Sequence, residues 1–303
     1  MSKKIVVAGA CRTAIGKMGG SLSNTPSPVL ATIVVKEAMK RAGIAPDKVD
    51  EVILGCVYQA GIGQSVARQA ALYAGIPVTT PAFTINNLCG SGLKSINVAA
   101  DLINAGEADV IVAGGVENMS STPYLLKKAR FGYRMKDGVL IDSLIHDGLE
   151  DSTLHYHMGV TAENIAEKYG ITRRMQDEFA TDSQQKTQKA IAGGKFKDEI
   201  IPVKVKIKKQ EVMFDTDEAP RKGVTPDTLA KLPPAFKENG TVTAGNASGI
   251  DDAASAIVVM SEDKAKELGV KPLATWIAGA WAGIQLNEIH VLDRHGGKGH
   301  GSR

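Results

Sequence analysis

The sequence predicts an α/β fold with a mostly parallel sheet, because short apolar runs alternate with helical patterns. The runs KIVVAG (4–9), EVILGCV (51–57) and DVIVAGG (109–115) are almost wholly apolar, as in strands that are buried on both faces. With 43% hydrophobic and 23% charged residues, the composition is that of a globular protein and excludes a disordered or fibrous chain.

Each element of the first half has its own local signal. The first helix should begin at Ser27-Pro28 and end near Arg41, since proline suits the first helical position and apolar residues recur on one face. The other predicted elements are, in chain order, a strand at 51–57, a helix at about 64–74, a strand at 82–85 (AFTI), a helix after Cys89 and a strand at 109–115.

A long insertion follows from residue 120. It contains the basic loop RFGYRMK (130–136), amphipathic helices near 160–169 and 174–193, the run KVKIKK (204–209) and a mostly irregular stretch at 210–245. In KVKIKK we expect a strand with Val205 and Ile207 facing inward. The α/β pattern returns at 255–260 (SAIVVM), after which Ser261 should cap a short helix.

Charge and cysteine content exclude several functions. A net charge of +3 is too small to indicate nucleic-acid binding, and no apolar run approaches the ~20 residues that span a bilayer. Cys11, Cys56 and Cys89 are an odd number without metal-ligand spacing, so a reducing cytoplasm is the default location. The N-terminal segment is interpreted as a first strand, because its apolar stretch is too short for a signal peptide.

No metal or cofactor is predicted. Gly61 and Gly63 resemble a dinucleotide loop, but Val66 stands in place of its third glycine. The acids at 214–218 (FDTDE) and at 251–252 lack the spacing of a calcium loop, so a helix cap or a solvated turn is favoured over a metal site.

Cys89 is the candidate nucleophile. It follows an apolar run in TINNLCGSGLKS (84–95) and precedes a helical pattern, and the N-terminus of a helix favours thiolate over thiol. Gly90, Ser91 and Gly92 would let a substrate approach the sulfur closely. The alternative is that Cys89 is a small, buried apolar residue.

Four motifs together resemble the thiolase family: NNLCGSG (86–92), GGVENMS (114–120), HMG (157–159) and GNASGIDDAA (245–254). The resemblance covers residues 1 to about 275. It implies a layered fold of two βαβαβ halves around mostly parallel, mixed sheets, with the second half largely missing. Residues 1–119 with 246–270 would form the first half, 120–245 a loop domain for CoA binding and tetramerisation, and 271–303 the start of the second half.

The implied reaction condenses two acetyl-CoA into acetoacetyl-CoA, or runs in reverse. Cys89 would carry the acyl group as a thioester. The family also uses a second cysteine as base, a histidine in GHPxG and an asparagine in NEAF, and none of these motifs occurs in this sequence. NEIH (287–290) is interpreted as a chance match, and His290, His295 and His300 as exposed residues of a glycine-rich tail. We therefore expect that this chain cannot complete the cycle.

The resemblance also implies a CoA pocket. Arg221 would meet a phosphate or the adenine, Ser248 a pantetheine amide, and His157 and Met158 the short acyl group. Residue by residue, the pocket would comprise Leu149, His157, Met158, Arg221, Thr228, Leu229, Leu232, Ala235, Phe236, Ala244, Ala247, Ser248 and Gly249. Without the family, His157 is more often a structural histidine, Met158 a core residue and Arg221 a solvated loop charge. Thr228 and Leu229 stand where the family often has Ser and Met.

Other interpretations remain open. RFGYRMK occupies the place of the family's tetramerisation loop, which implies a homotetramer, but the same residues suit a flexible basic loop. The pattern is lost after about Ile284, which suggests that the gene is read out of frame there and leaves apolar faces uncovered. A 3-ketoacyl-CoA thiolase for longer chains and a non-catalytic CoA-binding fragment are the alternatives. A ketoacyl synthase shares the fold but not NNLCGSG.

Overall fold

The structure is a computed structural model that describes residues 3–283. The described residues pack into two compact units. The sheet unit comprises residues 3–148, 189–220 and 249–280, and the helical unit comprises 149–188, 221–248 and 281–283. The interpretations of NEIH and of the three histidines after it concern residues outside the described part. The three-part division of the chain stays a prediction.

The strands and helices have the following bounds. The strands are β1 (Ile5–Thr13), β2 (Gly16–Lys17), β3 (Glu51–Gly55), β4 (Ala82–Ile85), β5 (Val110–Asn118), β6 (Tyr124–Leu125), β7 (Ile141–Asp142), β8 (Ile200–Ile201), β9 (Val203–Ile207), β10 (Gln210–Phe214), β11 (Asp251–Ser261) and β12 (Ala274–Trp276). The helices are α1 (Ser27–Ala42), α2 (Val66–Tyr73), α3 (Ser91–Ala105), α4 (Met158–Tyr169), α5 (Arg173–Ala192), α6 (Pro226–Leu229) and α7 (Glu262–Glu267).

The central sheet has the strand order β12-β1-β11-β5-β3-β4, with β2 on β11 and β8 on β1. β3 pairs in parallel with β4 and β5, whereas β11 lies antiparallel between β1 and β5. From these pairings, β1, β2, β3, β4, β5 and β8 run in one direction, and β11 and β12 run in the other. The predicted mostly parallel, mixed sheet is confirmed.

Both faces of this sheet are buried. Val52 and Leu54 of β3 belong to a core shared with α1 and α2, while Ile53 between them belongs to a second core with Ile103 of α3. Since alternate side chains of a strand point to opposite faces, β3 is covered on both sides. This is why the strands are continuous apolar runs, each large side chain contributing about 1.5–3 kcal/mol on burial.

The stretch after residue 203 departs from expectation in two places. Residues 210–245 were expected to be mostly irregular, but β10 pairs antiparallel with β9 as a hairpin. Val205 faces inward as predicted, whereas Ile207 is 39% exposed. Ile207 lies at the far end of the hairpin, beside a turn in which Lys208 and Lys209 both have positive φ. The predicted alternation of inward-facing and outward-facing side chains is therefore confirmed only where the hairpin packs on the core.

Two of the acids considered for a metal site, Asp217 and Asp252, have largely buried side chains and structural roles, whereas Asp215 is exposed. Asp252 is fully buried and accepts hydrogen bonds from the Ser120 N–H and hydroxyl at 2.9 and 2.6 Å. Asp217 accepts from Arg12 and from the Ile15 N–H, both at 2.8 Å. The expectation of a solvated turn is wrong for these residues, because each carboxylate replaces water with donors from neighbouring loops. No group of three metal-ligating side chains occurs among the described residues.

No helix in the described part of the chain has both the length and the apolar character needed to cross a bilayer.

The N-terminus of α3 packs against the sheet through glycines. A Cβ atom at Gly55 would lie 2.6 Å from the Cβ of Ser91, and one at Gly114 would lie 2.1 Å from the carbonyl oxygen of Ser255. The Ser95 hydroxyl accepts from the Gly114 N–H at 3.0 Å. α3 therefore lies so close to β3 at Gly55, and β11 so close to β5 at Gly114, that a side chain is excluded at both positions.

The first prediction concerns Gly114. Gly114→Ala should lower the free energy of unfolding by about 3 kcal/mol or more, because the new methyl group must displace the backbone of β11. Gly92→Ala is the matched control, since a Cβ there meets nothing within 4 Å. In a helix this change should be neutral or stabilising by up to ~1 kcal/mol. Thermal unfolding followed by circular dichroism measures both, and equal midpoints would contradict the packing argument.

Candidate active site

Cys89 lies on the short loop between β4 and α3 and is exposed, whereas Cys11 and Cys56 are buried. The helix predicted after it begins at Ser91, with Gly90 as the N-cap. Cys89 therefore stands immediately before the N-terminus of α3, as expected. The alternative of a buried apolar residue is wrong, because β4 ends at Ile85 and the loop carries Cys89 clear of the core.

The backbone next to Cys89 has an unusual conformation. Leu88 has φ of 50°, in the left-handed region that is uncommon for residues other than glycine. The Leu88 N–H donates to Asn86 Oδ1 at 3.1 Å, and the Leu88 carbonyl accepts from the Ser91 hydroxyl at 2.6 Å. Both polar groups of Leu88 are thus held by side chains of the same loop.

The expectation that Ser91 leaves room for a substrate stays a prediction, and its side chain has a structural role. Its side chain is buried beneath the loop, and its oxygen also accepts from the Asn87 N–H at 2.8 Å. The hydroxyl donates its only proton to the Leu88 carbonyl and accepts from the Asn87 N–H, so both of these bonds hold the loop. Gly90 and Gly92 remain the small residues beside the sulfur.

Glu117, at the end of β5, supports the loop from below. Its carboxylate accepts from the N–H groups of Val57 and Tyr58 at 2.8 and 3.1 Å. The Val57 carbonyl in turn accepts from Asn86 Nδ2 at 3.3 Å. Burial raises the pKa of Glu117, and burial together with Glu117 raises the pKa of the Cys56 thiol. Cys56 is therefore an inert, protonated thiol at neutral pH.

Sequence reasoning missed Glu117, although an acid at the end of a buried strand was a usable signal. It also missed the adjacent Asn118, whose Nδ2 donates to the carbonyl groups of Leu22, Ser23 and Thr25. Both residues lie in GGVENMS and connect loops at the carboxyl end of β5.

In the helical unit, His157 caps α4. Its Nδ1 accepts from the Gly159 N–H at 3.0 Å, and its ring stacks on Phe236 with 4.7 Å between centroids. A Cβ atom on Gly159 would lie 2.1 Å from the Phe236 ring. Because Nδ1 is an acceptor, the neutral ring carries its proton on Nε2. Burial lowers the pKa of His157.

Leu229 and Leu232 also come together. A Cβ atom on Gly245 would lie within 2.7 Å of Leu229 Cδ2 and 2.5 Å of Leu232 Cδ1, so glycine is needed beneath them. Arg173 Nη2 donates to the carbonyl groups of both leucines, at 2.5 and 3.2 Å. The short helix α6, which begins at a Thr225–Thr228 capping box, is thereby fixed to α5.

A buried polar network supports this unit. Glu163 of α4 accepts from the N–H groups of Thr241 and Val242, both at 2.7 Å. Asn246 Nδ2 donates to Asp177 Oδ1 on α5 at 3.0 Å. Sequence reasoning missed Glu163 and Asp177, because an acid on an amphipathic helix is ordinarily solvated.

The other residues predicted for a CoA pocket differ in exposure, and all except Gly249 lie in the helical unit. Leu229 is buried; Leu149, His157, Met158, Leu232, Phe236 and Ala247 are half-buried; and Arg221, Thr228, Ala235, Ala244, Ser248 and Gly249 are exposed. Gly249 belongs to the sheet unit, as does Cys89.

Comparison with known proteins agrees with the four family motifs found in the sequence. The family model described as "Thiolase, N-terminal domain" matches residues 5–263. The chain belongs to the thiolase family. This thiolase is 55% identical to an acetyl-CoA acetyltransferase of Syntrophomonas wolfei over 286 residues, which are 94% of this chain and 72% of the relative. It is 54% identical to the acetyl-CoA acetyltransferase of Cupriavidus necator, over 92% of this chain and 72% of that protein.

Solved structures show the same fold. The thiolase superimposes on the crystal structure of the Bacillus anthracis acetyl-CoA acetyltransferase with a TM-score of 0.87 and 47% identity. The match covers 90% of this chain and 69% of that chain. The predicted thiolase-like layered α/β fold is therefore confirmed.

The second prediction concerns the pH dependence of the helical unit. Because the folded pKa of His157 is lowered, the unfolded chain takes up the proton first, and stability is lost as the pH falls from about 6.5 through the folded value. His157→Asn keeps a cap acceptor for the Gly159 N–H but cannot titrate. The difference between the unfolding midpoints of wild type and variant should shrink as the pH falls. A difference that stays constant from neutral to acid pH would contradict this assignment.

Proposed function

We propose that this thiolase condenses two acetyl-CoA into acetoacetyl-CoA, or catalyses the reverse thiolysis, with Cys89 as the acyl carrier. The observation that carries the proposal is the exposed thiol before the N-terminus of α3. It is supported by sequence identities of 55% and 54% to two proteins named acetyl-CoA acetyltransferase. A cytoplasmic location belongs to the same proposal, since a reducing compartment keeps an exposed thiol free.

In the first step, the Cys89 thiolate attacks the thioester carbonyl of acetyl-CoA. A bond forms between Cys89 Sγ and the acyl carbon, the bond from that carbon to the CoA sulfur breaks, and the CoA thiolate takes the proton that Cys89 gave up. In the second step, a base removes a proton from the methyl group of another acetyl-CoA. The resulting carbanion attacks the acyl-cysteine carbonyl, and Cys89 leaves as the thiolate.

The CoA part of the substrate is proposed to bind the helical unit. Leu229, Leu232 and Phe236 supply apolar surface for the pantetheine arm. Arg221 is exposed and suits a phosphate. His157 and Met158 would line a short acyl group, which favours acetyl-CoA over the longer 3-ketoacyl-CoA substrates.

Cys11 and Cys56 do not provide the second-step base. Burial raises the pKa of Cys11 to about 12, and Cys56 is buried next to Glu117. The described residues therefore supply the acylation step of the proposed cycle, and release of acetoacetyl-CoA requires a base other than these two thiols.

The third prediction is acylation of Cys89. Incubation with acetyl-CoA should add the mass of one acetyl group, and peptide mapping should place it on Cys89. Cys89→Ala should abolish the addition, while Cys11→Ala should retain it, because Cys11 is a buried thiol. An unmodified wild-type protein, or the label on another residue, would overturn the proposed function.

The same assay extends the third prediction to the CoA site. Arg221→Ala should raise the acetyl-CoA concentration at half-maximal acylation by roughly tenfold, the value of one charge-assisted phosphate contact. Arg174→Ala is the matched control, because Arg174 is an exposed arginine of the same unit paired with Glu178. An equal effect of the two variants would contradict a specific role for Arg221.

Tetramer formation through RFGYRMK is part of the proposal. Phe131 and Met135 in this loop are each 88% exposed, and exposed aromatic and methionine side chains are enriched at interfaces. As a fourth prediction, Phe131→Ser should shift sedimentation velocity toward smaller species. Phe179→Ser, which alters a phenylalanine of α5 that is 77% exposed, should not. A monomeric wild-type chain would refute the tetramer.

A further inference from the structure

The turn at Leu88 is held by the side chains of Asn86 and Ser91 together with the Ser91 N–H, which donates to the Leu88 carbonyl at 3.0 Å. A leucine at φ of 50° needs support, since a bulky side chain disfavours the left-handed region. Asn86 Oδ1 accepts from its N–H, and the Ser91 hydroxyl donates to its carbonyl group. The two side chains therefore fix both peptide planes that flank Leu88.

This support acts directly on the position of Cys89. The Leu88 carbonyl group belongs to the peptide plane that ends at the Cα of Cys89. A rotation about the Leu88 backbone would therefore displace the sulfur, and a misplacement of ~1 Å can lower a rate about a hundredfold.

Ser91 has little freedom to act otherwise. It is buried, and its Cβ lies where a Cβ on Gly55 would be only 2.6 Å away. Its oxygen accepts from the Asn87 N–H at 2.8 Å and so bridges the two residues before Cys89. The glycine at position 55 and the serine at position 91 together place a hydroxyl beneath the loop at one fixed point.

We propose that Ser91, assisted by Asn86, is a positioning residue: its hydroxyl holds Leu88 in the left-handed conformation that aims Cys89 at the acyl carbon. The inference rests on the proposed acyl transfer to Cys89 and adds residues that determine its rate. Neither residue touches the substrate in this role.

The test compares two buried serines of the same helix. Ser91→Ala removes the hydroxyl beneath Leu88. Ser95→Ala removes one that bonds Gly114 instead and is the matched control for lost stability. The rate of Cys89 acylation at saturating acetyl-CoA, the half-saturating concentration, and the Cα and Cβ chemical shifts of Leu88 are measured for each folded protein.

As the fifth prediction, Ser91→Ala should lower the acylation rate at saturating acetyl-CoA by about tenfold or more, because the nucleophile is displaced. The half-saturating concentration should stay unchanged. The Cα and Cβ chemical shifts of Leu88 should move toward the values of a residue with negative φ. Ser95→Ala should leave the rate within about twofold, as for a change distant from the reacting atoms.

Because Asn86 is exposed, substitutions there should not disturb core packing, and they provide a second pair of variants. Asn86→Ala removes the acceptor of the Leu88 N–H and should slow acylation. Asn86→Ser keeps a short acceptor and should recover most of the rate.

Three results would overturn the proposal: unchanged Leu88 shifts in Ser91→Ala, equal loss of rate in Ser95→Ala, or no recovery in Asn86→Ser. A wild-type protein that is never acylated would instead refute the proposed function. In that case the Leu88 shifts still report whether Ser91 holds the turn.

Discussion

The close approach of α3 to the central sheet determines the arrangement around Cys89. Gly55 and Gly115 face the first turn of α3 and provide the space, and the Ser95 hydroxyl accepts from the Gly114 N–H of β5. Without side chains at these positions, the first turn of α3 lies directly on β3 and β5. The loop from β4 must then turn sharply at Leu88 to reach the helix, and that turn places Cys89 at the surface.

The chemical difference among the three thiols follows from the same packing. Cys11 and Cys56 are buried within strands and next to strand ends, where desolvation disfavours the thiolate. Cys89 is exposed, because the loop carries it clear of the core. Exposure, rather than residue type, therefore distinguishes the proposed nucleophile from the two buried cysteines.

The helical unit depends on a different constraint, the satisfaction of buried charge. Glu163 and Asp177 are nearly inaccessible. Glu163 accepts from the N–H groups of residues 241 and 242, and Asp177 accepts from the Arg173 guanidinium and the Asn246 amide. Removing one such partner leaves a buried carboxylate uncompensated, which is costly. The network holds residues 241–246 against α4 and α5. This segment and these helices in turn support Leu229, Leu232 and the stacked rings of His157 and Phe236. Polar groups here fix the shape of an otherwise loop-rich region.

The sequence by itself determined the apolar strands, the helix after Cys89 and the family motifs, since periodicity and short motifs are local properties. It did not reveal the antiparallel insertion of β11 between β1 and β5, because strand order depends on contacts between distant residues. Only the tertiary structure showed that Ser91 faces the loop, that Asp252 is buried and that Glu117 anchors Val57. In each case the packing of the chain brings the interacting groups together, and the spacing of residues along the sequence does not predict that contact.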